Sequence, residues 1–161
     1  MNTLTAMAEN LGQLLKDAGA TVAVAESSSG GLVSAALLAI PGASSYFVGG
    51  GVIYTRDARR NLLDLPDEQV TMDASNEEYA LITAAAIQRK LGTTWGLAES
   101  GTAGPTGSRY GYDAGHVAFA VTGPLQRSAT LETGSADREA NMWVFAEAAL
   151  KLLEQAVRDA T

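Results

Sequence analysis

The positions of apolar residues along this chain predict a regular alternation of helices and strands. Within residues 3–18 apolar side chains recur at intervals of three and four, which places them on one face of a helix: Leu4, Met7, Ala8, Leu11, Leu14 and Leu15. Short runs of β-branched and other apolar residues predict strands at 21–25, 52–55, 95–98, 115–122 and 128–133. The remaining helices are predicted at 32–40, 57–63 and 75–91, with a last one that starts at Ser135 or Asp137.

The order of these elements predicts the fold class. Strands that alternate with helices form a largely parallel sheet covered by helices on both faces. The last two strands are separated only by a short turn that contains Gly123-Pro124, so they form a hairpin and one strand should run antiparallel. We therefore expect an α/β fold with three layers, α/β/α, and a mixed, mostly parallel sheet. Ligands of such folds bind at the strand ends.

Composition limits the classes of function. The 161 residues suit a single domain, 1–161, and 47% hydrophobic residues are typical of a globular chain. A net charge of −7 argues against general binding to nucleic acid or anionic membranes, because both need a basic surface. The absence of cysteine excludes disulfides and thiolate chemistry, and His116 as the single histidine excludes a multi-histidine metal site. No signal peptide or membrane-spanning run is recognisable, so we expect a cytoplasmic protein, and frequent apolar helix faces predict a homo-oligomer.

Residues 41–59 concentrate candidate chemistry. After a Pro-Gly helix stop they present two adjacent hydroxyls, three glycines, a phenol and two guanidiniums: Ser44, Ser45, Gly49, Gly50, Gly51, Tyr54, Arg56 and Arg59. Consecutive glycines are costly for folding unless something approaches the backbone closely. Together these groups are typical of a site for an anionic substrate, although the residues alone equally allow a helix–loop–strand joint with a solvated arginine face.

Two loops rich in small residues follow predicted strands. The loop 26–31 lies between a strand and a helix, where free backbone N–H groups can bind an anion. The same loop is compatible with an ordinary capped turn in which Ser28 or Ser29 is the N-cap. The loop that begins at Glu99 is long, and long loops in compact domains are usually functional.

Several segments together resemble one protein family. They are Glu-Ser-Ser-Ser-Gly-Gly at 26–31, Pro-Gly-Ala-Ser at 41–44, Tyr-Thr-Arg-Asp-Ala-Arg at 54–59, Ser-Gly-Thr-Ala-Gly-Pro at 100–105 and Asp-Arg at 137–138. Their order and spacing resemble those of the CinA C-terminal domain, the competence/damage-inducible family whose active members are nicotinamide-nucleotide amidases. Those enzymes hydrolyse the carboxamide of nicotinamide mononucleotide to nicotinate mononucleotide and ammonia. The resemblance implies a stand-alone α/β/α amidase domain, a pyridine nucleotide as small-molecule partner, and no metal or other cofactor.

The resemblance also implies roles for individual residues. Ser44 matches the family's serine nucleophile, with Ser45 as the fallback, and Tyr54 matches its tyrosine. Arg59 stands where the family has a lysine, and Ser100 where it has a threonine. The implied substrate-binding residues are Ser28, Ser29, Gly30, Gly31, Gly50, Gly101, Gly104 and Arg138.

The arginine at position 59 changes the expected mechanism. The attacking serine must lose its proton, and a buried lysine can accept it, whereas an arginine stays protonated because its pKa exceeds about 12. Tyr54 therefore becomes the expected base for Ser44. The oxyanion would be held by backbone N–H groups either of residues 49–51 or of Gly101, and the sequence leaves both open.

Other interpretations remain open. A catalytically impaired homologue that binds a pyridine nucleotide without turnover is favoured by Arg59 and by Met142, which stands at a second basic position of the family. A purely structural or partner-binding domain is a third possibility. Individual residues also allow plain roles, such as Tyr54 in the core or Arg138 in a surface ion pair with a neighbouring glutamate.

Overall fold

The computed structural model describes residues 2–161, which form one five-stranded sheet flanked by helices. The elements are α1 Asn2–Ala18, β1 Val22–Glu26, α2 Leu32–Leu38, β2 Phe47–Val52, α3 Arg56–Asn61, α4 Asp67–Val70, α5 Glu77–Leu91, β3 Trp95–Thr102, β4 His116–Thr122, β5 Arg127–Glu132 and α6 Arg138–Ala160. A single 3₁₀ turn, Ala43–Ser45, precedes β2. No helix within residues 2–161 combines the length and the apolar character needed to cross a membrane.

The sheet has the strand order β2-β1-β3-β4-β5. β1 pairs with β2 and with β3 in parallel, and β4 pairs antiparallel with both β3 and β5. Four strands therefore run in one direction and β4 alone runs against them. This arrangement confirms the predicted α/β class, with a mixed, mostly parallel sheet and one antiparallel strand contributed by the late hairpin.

The helices cover both faces of the sheet and produce the three predicted layers. Successive side chains of a strand point to opposite faces, and β1 divides accordingly. Val22 and Val24 pack into a core that includes Leu37 of α2 and residues of α1 and α6. Ala23 and Ala25 pack into a second core, beneath α5.

β2 differs from its predicted position. A strand was predicted over 52–55, but β2 is Phe47–Val52 and includes the three consecutive glycines. A Cβ at Gly50 would lie 2.4 Å from the carbonyl oxygen of Val24 on β1, so this glycine is required by a neighbouring strand rather than by a ligand. Tyr54 lies beyond the end of the strand and not in the apolar core.

Other boundaries also moved. β3 continues to Thr102, beyond the predicted end at residue 98, because Glu99, Ser100 and Gly101 complete its ladder with β4. α4 forms where the sequence predicted only a turn around Pro66. Asn76, rather than Ser75, caps α5, accepting a hydrogen bond from the backbone N–H of Tyr79 at 2.8 Å.

Candidate active site

The carboxyl ends of three parallel strands meet at one edge of the sheet, where ligands of α/β folds bind. β1 ends at Glu26, β2 at Val52 and β3 at Thr102. A cavity of about 310 Å³ opens there. The residues that follow β1 and β2, the end of β3, the loop after β3 and the start of α6 all line it. The sheet therefore brings together segments that are distant in sequence.

The cavity lining carries hydroxyl, phenol and guanidinium groups. The serine hydroxyls belong to Ser27, Ser75, Ser100 and Ser108, the phenols to Tyr54 and Tyr110, and the guanidiniums to Arg59, Arg109 and Arg138. Of the described residues that line the cavity, none is a lysine, a histidine, an aspartate or a glutamate. Among these lining side chains, a phenol or a hydroxyl is therefore the group that can transfer a proton, because guanidinium does not release its proton near neutral pH.

The structure brings Tyr54 and Arg138 together, although they are 84 positions apart in the chain. One guanidinium nitrogen of Arg138 donates a hydrogen bond to the Tyr54 hydroxyl at 2.9 Å, and the other donates to the carbonyl of Gly104. Arg138 thus joins the start of α6 to two other walls of the cavity, rather than forming a surface ion pair with a neighbouring glutamate.

Arg59 forms the buried wall of the cavity. Its side chain is only 6% exposed, donates a hydrogen bond to the carbonyl of Val70 at 2.7 Å, and lies 4.9 Å from the ring centroid of Tyr79. Burial raises the pKa of Tyr79 to about 12, against the opposing charge of Arg59, so this phenol stays protonated. Within residues 2–161 the Nε of Arg59 is buried without a hydrogen-bond partner.

A second cavity of about 390 Å³ adjoins the first. The two share Tyr54, Arg59 and Arg109, and the outer one is also lined by Arg56 and Asp57. The side chain of Asp57 is 89% exposed and lies 4.0 Å from Arg60, a residue that lines neither cavity. Four arginines thus border the two cavities in a chain of net charge −7, a local field that favours an anionic ligand.

Tyr110 lies among three of these arginines. Its hydroxyl accepts a hydrogen bond from Arg109 at 3.0 Å. Burial opposes its ionisation, but the hydrogen bond from Arg109 and the nearby guanidiniums of Arg59 and Arg56 outweigh that effect and lower the pKa of Tyr110 below its ordinary value. No sequence pattern singles out this residue, because its position depends on how the long loop after β3 folds against α3.

The sequence predicted that the loop after β1 could present free backbone N–H groups to an anionic ligand. In the structure, acidic side chains of the protein occupy most of these groups. The carboxylate of Glu26 accepts hydrogen bonds from the backbone N–H groups of Gly31, Val33 and Ser34, at 3.1, 2.9 and 2.9 Å. The first turn of α2 is therefore already bound to an anion of the protein itself. The N-cap is Gly31, with φ of 101°, and neither Ser28 nor Ser29.

A second buried carboxylate, Glu99, fixes the serines of this loop. It accepts hydrogen bonds from the backbone N–H of Ser27 at 2.9 Å, from the N–H and hydroxyl of Ser29 at 2.9 and 2.6 Å, and from the hydroxyl of Ser28. Burial raises the pKa of Glu99, against these hydrogen bonds. Ser28 and Ser29 are thereby turned into the protein, and only Ser27 of the three lines the cavity.

The structure does not bring Ser44 to Tyr54. Ser44 lies on the exposed 3₁₀ turn before β2 and Tyr54 lies after it, so the two are at opposite ends of a six-residue strand. At about 3.3 Å per residue the ends of that strand are roughly 17 Å apart. The prediction that these two side chains meet in one pocket is therefore wrong for a single chain. The cavity lies at the end of β2 that leads to Tyr54, whereas Ser44 precedes the opposite end.

The predicted glycines divide between the cavity and the scaffold. Gly101 and Gly104 line the cavity. A Cβ at Gly101 would lie 2.6 Å from the carbonyl oxygen of His116, so that glycine also serves the packing of β3 on β4. Gly30 and Gly50, like Gly31, are outside the lining.

Sequence reasoning missed Ser27, Arg109 and Tyr110. Ser27 was within a recognised motif, and its place directly after a strand was the available signal. The position of its backbone depends on a hydrogen bond to Glu99, which is 72 positions away in the chain. A long loop after β3 pointed to function without indicating which of its residues faces the cavity.

A larger groove of about 420 Å³ lies between β5 and α6. Its lining is mostly apolar, and its charged members, Glu147 and Lys151, are paired with each other at 3.3 Å. It contains no converging set of catalytic groups, so we assign the candidate chemistry to the smaller cavity at the strand ends.

Comparison with known proteins agrees with this fold. A competence-damage inducible protein of Desulforamulus reducens is 45% identical over 115 residues, which is 71% of this chain and 28% of that protein. A CinA-like protein of Desulfosudis oleivorans is 40% identical over 120 residues, 74% of this chain and 29% of that protein. The matched part of the chain thus spans less than a third of the length of these relatives.

Solved structures extend the similarity to almost the whole chain. A CinA superfamily protein from Klebsiella pneumoniae has a TM-score of 0.90 and 25% identity, with 97% of this chain and 98% of that chain covered. The competence/damage inducible protein CihA from Agrobacterium tumefaciens has a TM-score of 0.88 and 27% identity, with 96% and 95% covered. The family model of the CinA C-terminal domain matches residues 4–157. This chain therefore belongs to the CinA C-terminal domain family.

Proposed function

We propose that this chain is an amidohydrolase that converts nicotinamide mononucleotide to nicotinate mononucleotide and ammonia through a serine nucleophile. Membership of the CinA family supports the reaction class. The observation that carries the proposal is that Ser27 and Ser100 line the same cavity, at the carboxyl edge of the sheet, as three arginines. Hydroxyls supply a nucleophile for the carboxamide, and guanidiniums bind the phosphate.

We assign the nucleophile to Ser27 rather than to Ser44. Ser27 is partly buried, lines the cavity, and follows β1 directly at the turn into α2. Its backbone N–H donates a hydrogen bond to Glu99, which fixes the backbone position from which the hydroxyl extends. Ser100 lines the same cavity from β3 and is almost fully buried, which suits it to hydrogen-bond the carboxamide.

The arginines account for the phosphate of the substrate. Arg138, Arg59 and Arg109 border the inner cavity, and Arg56 adds a fourth positive charge in the outer one. Guanidinium groups bind phosphate through paired hydrogen bonds. The buried, unpaired Nε of Arg59 is a further donor whose desolvation a bound anion would offset.

The test is ammonia release from nicotinamide mononucleotide compared with nicotinamide riboside, which carries the same carboxamide without the phosphate. We expect ammonia release from the nucleotide. For the riboside we expect a kcat/KM that is lower by at least about tenfold, because the arginines have no phosphate to bind. No release from the nucleotide at high enzyme concentration contradicts the proposal, and equal release from both contradicts the role of the arginines.

The second candidate is a protein that binds the nucleotide without hydrolysing it. It is favoured by Arg59 at the position of the family's lysine and by a described cavity lining without lysine. Calorimetric titration with nicotinamide and nicotinate mononucleotides separates the two candidates. Heat without ammonia release supports the binding protein, and no heat with either nucleotide contradicts both candidates.

A further inference from the structure

The serine of this cavity needs a proton acceptor, and the lining offers few. Among the described lining residues the arginines remain protonated, and neither an imidazole nor a carboxylate is present. Besides the serine and threonine hydroxyls, the lining groups that can exchange a proton are the phenols of Tyr54 and Tyr110, and a phenol acts as a base where its surroundings favour the phenolate.

The surroundings of the two phenols differ. Tyr54 is 53% exposed and receives a hydrogen bond from Arg138. Tyr110 is partly buried and faces guanidiniums from two elements: Arg109 on its own loop, with a nitrogen 3.0 Å from the hydroxyl, and Arg56 and Arg59 on α3.

The remaining groups near Tyr110 do not cancel this positive charge. Tyr79, on α5, is stacked under Arg59 and is neutral. Asp57, on α3, lines only the outer cavity and is exposed to solvent. Guanidiniums near a phenol stabilise its phenolate electrostatically, and the hydrogen bond from Arg109 adds a charge-assisted interaction at the oxygen itself.

We propose that Tyr110 is the catalytic base of this cavity, the group that takes the proton of the attacking serine. This inference rests on the amidase function proposed above. It assigns the three arginines a second task besides substrate binding, which is to favour the ionised form of Tyr110. Arg59 then contributes to catalysis as a fixed cation and not as a proton acceptor.

The reaction balances with this assignment. The proton of the serine hydroxyl passes to the Tyr110 phenolate while the serine oxygen bonds to the carboxamide carbon. The tetrahedral intermediate then breaks its C–N bond, and the proton held by Tyr110 leaves with the nitrogen as ammonia. A water molecule, deprotonated by the Tyr110 phenolate, attacks the acyl ester. The C–O bond to the enzyme breaks, and the serine regains its proton from Tyr110.

A spectrophotometric titration tests the ionisation without any need for activity. Phenolate absorbance is followed against pH in the unsubstituted protein, in Tyr110→Phe and in Tyr112→Phe. Tyr112 is a matched control, because it is on the same loop, bonds Asp73 outside the cavity and has a pKa raised to about 12 by that hydrogen bond. We expect Tyr110→Phe to remove the first phenol to ionise and Tyr112→Phe to leave it. An unchanged first ionisation in Tyr110→Phe overturns the inference.

The pH dependence of ammonia release tests the catalytic role. Tyr110→Phe should lower kcat by about 10²–10⁴-fold while KM changes by less than about threefold, and Tyr112→Phe should leave both unchanged. In the unsubstituted protein kcat/KM should rise with pH, with an inflection at a pH below the ordinary phenol pKa of 10.0. In Arg109→Gln that inflection should move to a higher pH. Full kcat in Tyr110→Phe contradicts this inference alone, whereas no release from the unsubstituted protein contradicts both it and the amidase.

Discussion

Glu99 is the residue on which the geometry of the serine loop depends. It is 2% exposed and accepts hydrogen bonds from all three serines of the loop. Because burial penalises its ionised form, its pKa is raised above the ordinary value of 4.5. The folded protein therefore holds this proton to a higher pH than the unfolded chain does.

This raised pKa predicts a pH dependence of stability. Since the folded state binds the extra proton, the free energy of unfolding contributed by Glu99 is fully present below about pH 4.5 and falls as the pH rises through the folded pKa. Glu99→Gln imitates the protonated carboxyl at every pH, so it should reduce the loss of stability on going from about pH 5 to pH 8 in urea unfolding. The exposed Glu78→Gln is the control, and an equal loss in both variants contradicts the assignment.

At the scale of the elements, β2 depends on a close approach between backbones. A Cβ at Gly50 would meet the Val24 carbonyl at 2.4 Å, whereas a Cβ at Gly49 would meet the flexible end of the Leu91 side chain at 3.2 Å. Both glycines are in the same strand and both have ordinary backbone angles. Comparing an alanine substitution at each position therefore separates the effect of close packing on stability from the effect of glycine's conformational entropy.

We predict that Gly50→Ala lowers the free energy of unfolding by about 1–3 kcal/mol, because backbone cannot move aside without disturbing the ladder with β1. Gly49→Ala should cost less, since Leu91 can change its rotamer and alanine restricts the unfolded chain. The difference in the free energy of unfolding is obtained from the midpoints of denaturant unfolding, provided that the variants have equal m values. A Gly50→Ala variant as stable as Gly49→Ala would show that the strands can separate locally.

The same strand marks the limit of prediction from sequence. The helix 3–18 and the final hairpin have strong periodic patterns and were predicted well, whereas β2 was misplaced because glycines carry no hydrophobic signal. The predicted end of β3 was too early, since small polar residues resemble a loop and their pairing with β4 is a long-range contact. The site residues Ser27 and Tyr110 were missed for the same reason, because strand ends and loop contacts decide which side chains face the cavity.

For the whole molecule, the central feature is a positive cavity in an acidic protein. Net charge is −7, yet arginines border both cavities at the carboxyl edge of the sheet. The overall charge disfavours extended polyanions, while the arginines clustered at the two cavities still attract a small phosphorylated molecule. The preference of the protein for a small anion over an extended polyanion therefore follows from where its charges lie and not from its net charge.

This distribution predicts the cost of removing one cavity arginine. Arg109→Gln should raise the Kd for nicotinamide mononucleotide by roughly tenfold, about 1.4 kcal/mol, and should make binding less sensitive to salt. Arg60→Gln changes the total charge equally, but Arg60 is paired with Asp67 at 3.4 Å and does not line either cavity. Calorimetry that gives the same Kd for both variants would show that net charge, and not the cavity, binds the nucleotide.

The most direct test of the central claim compares two serines in one assay. Ammonia release from nicotinamide mononucleotide is measured for Ser27→Ala and Ser44→Ala, which carry the same chemical change at opposite edges of the sheet. We predict that Ser27→Ala loses activity by on the order of 10³-fold or more, and that Ser44→Ala keeps it. Loss in Ser44→Ala with full activity in Ser27→Ala would contradict the assignment of the active site to the carboxyl edge of the sheet.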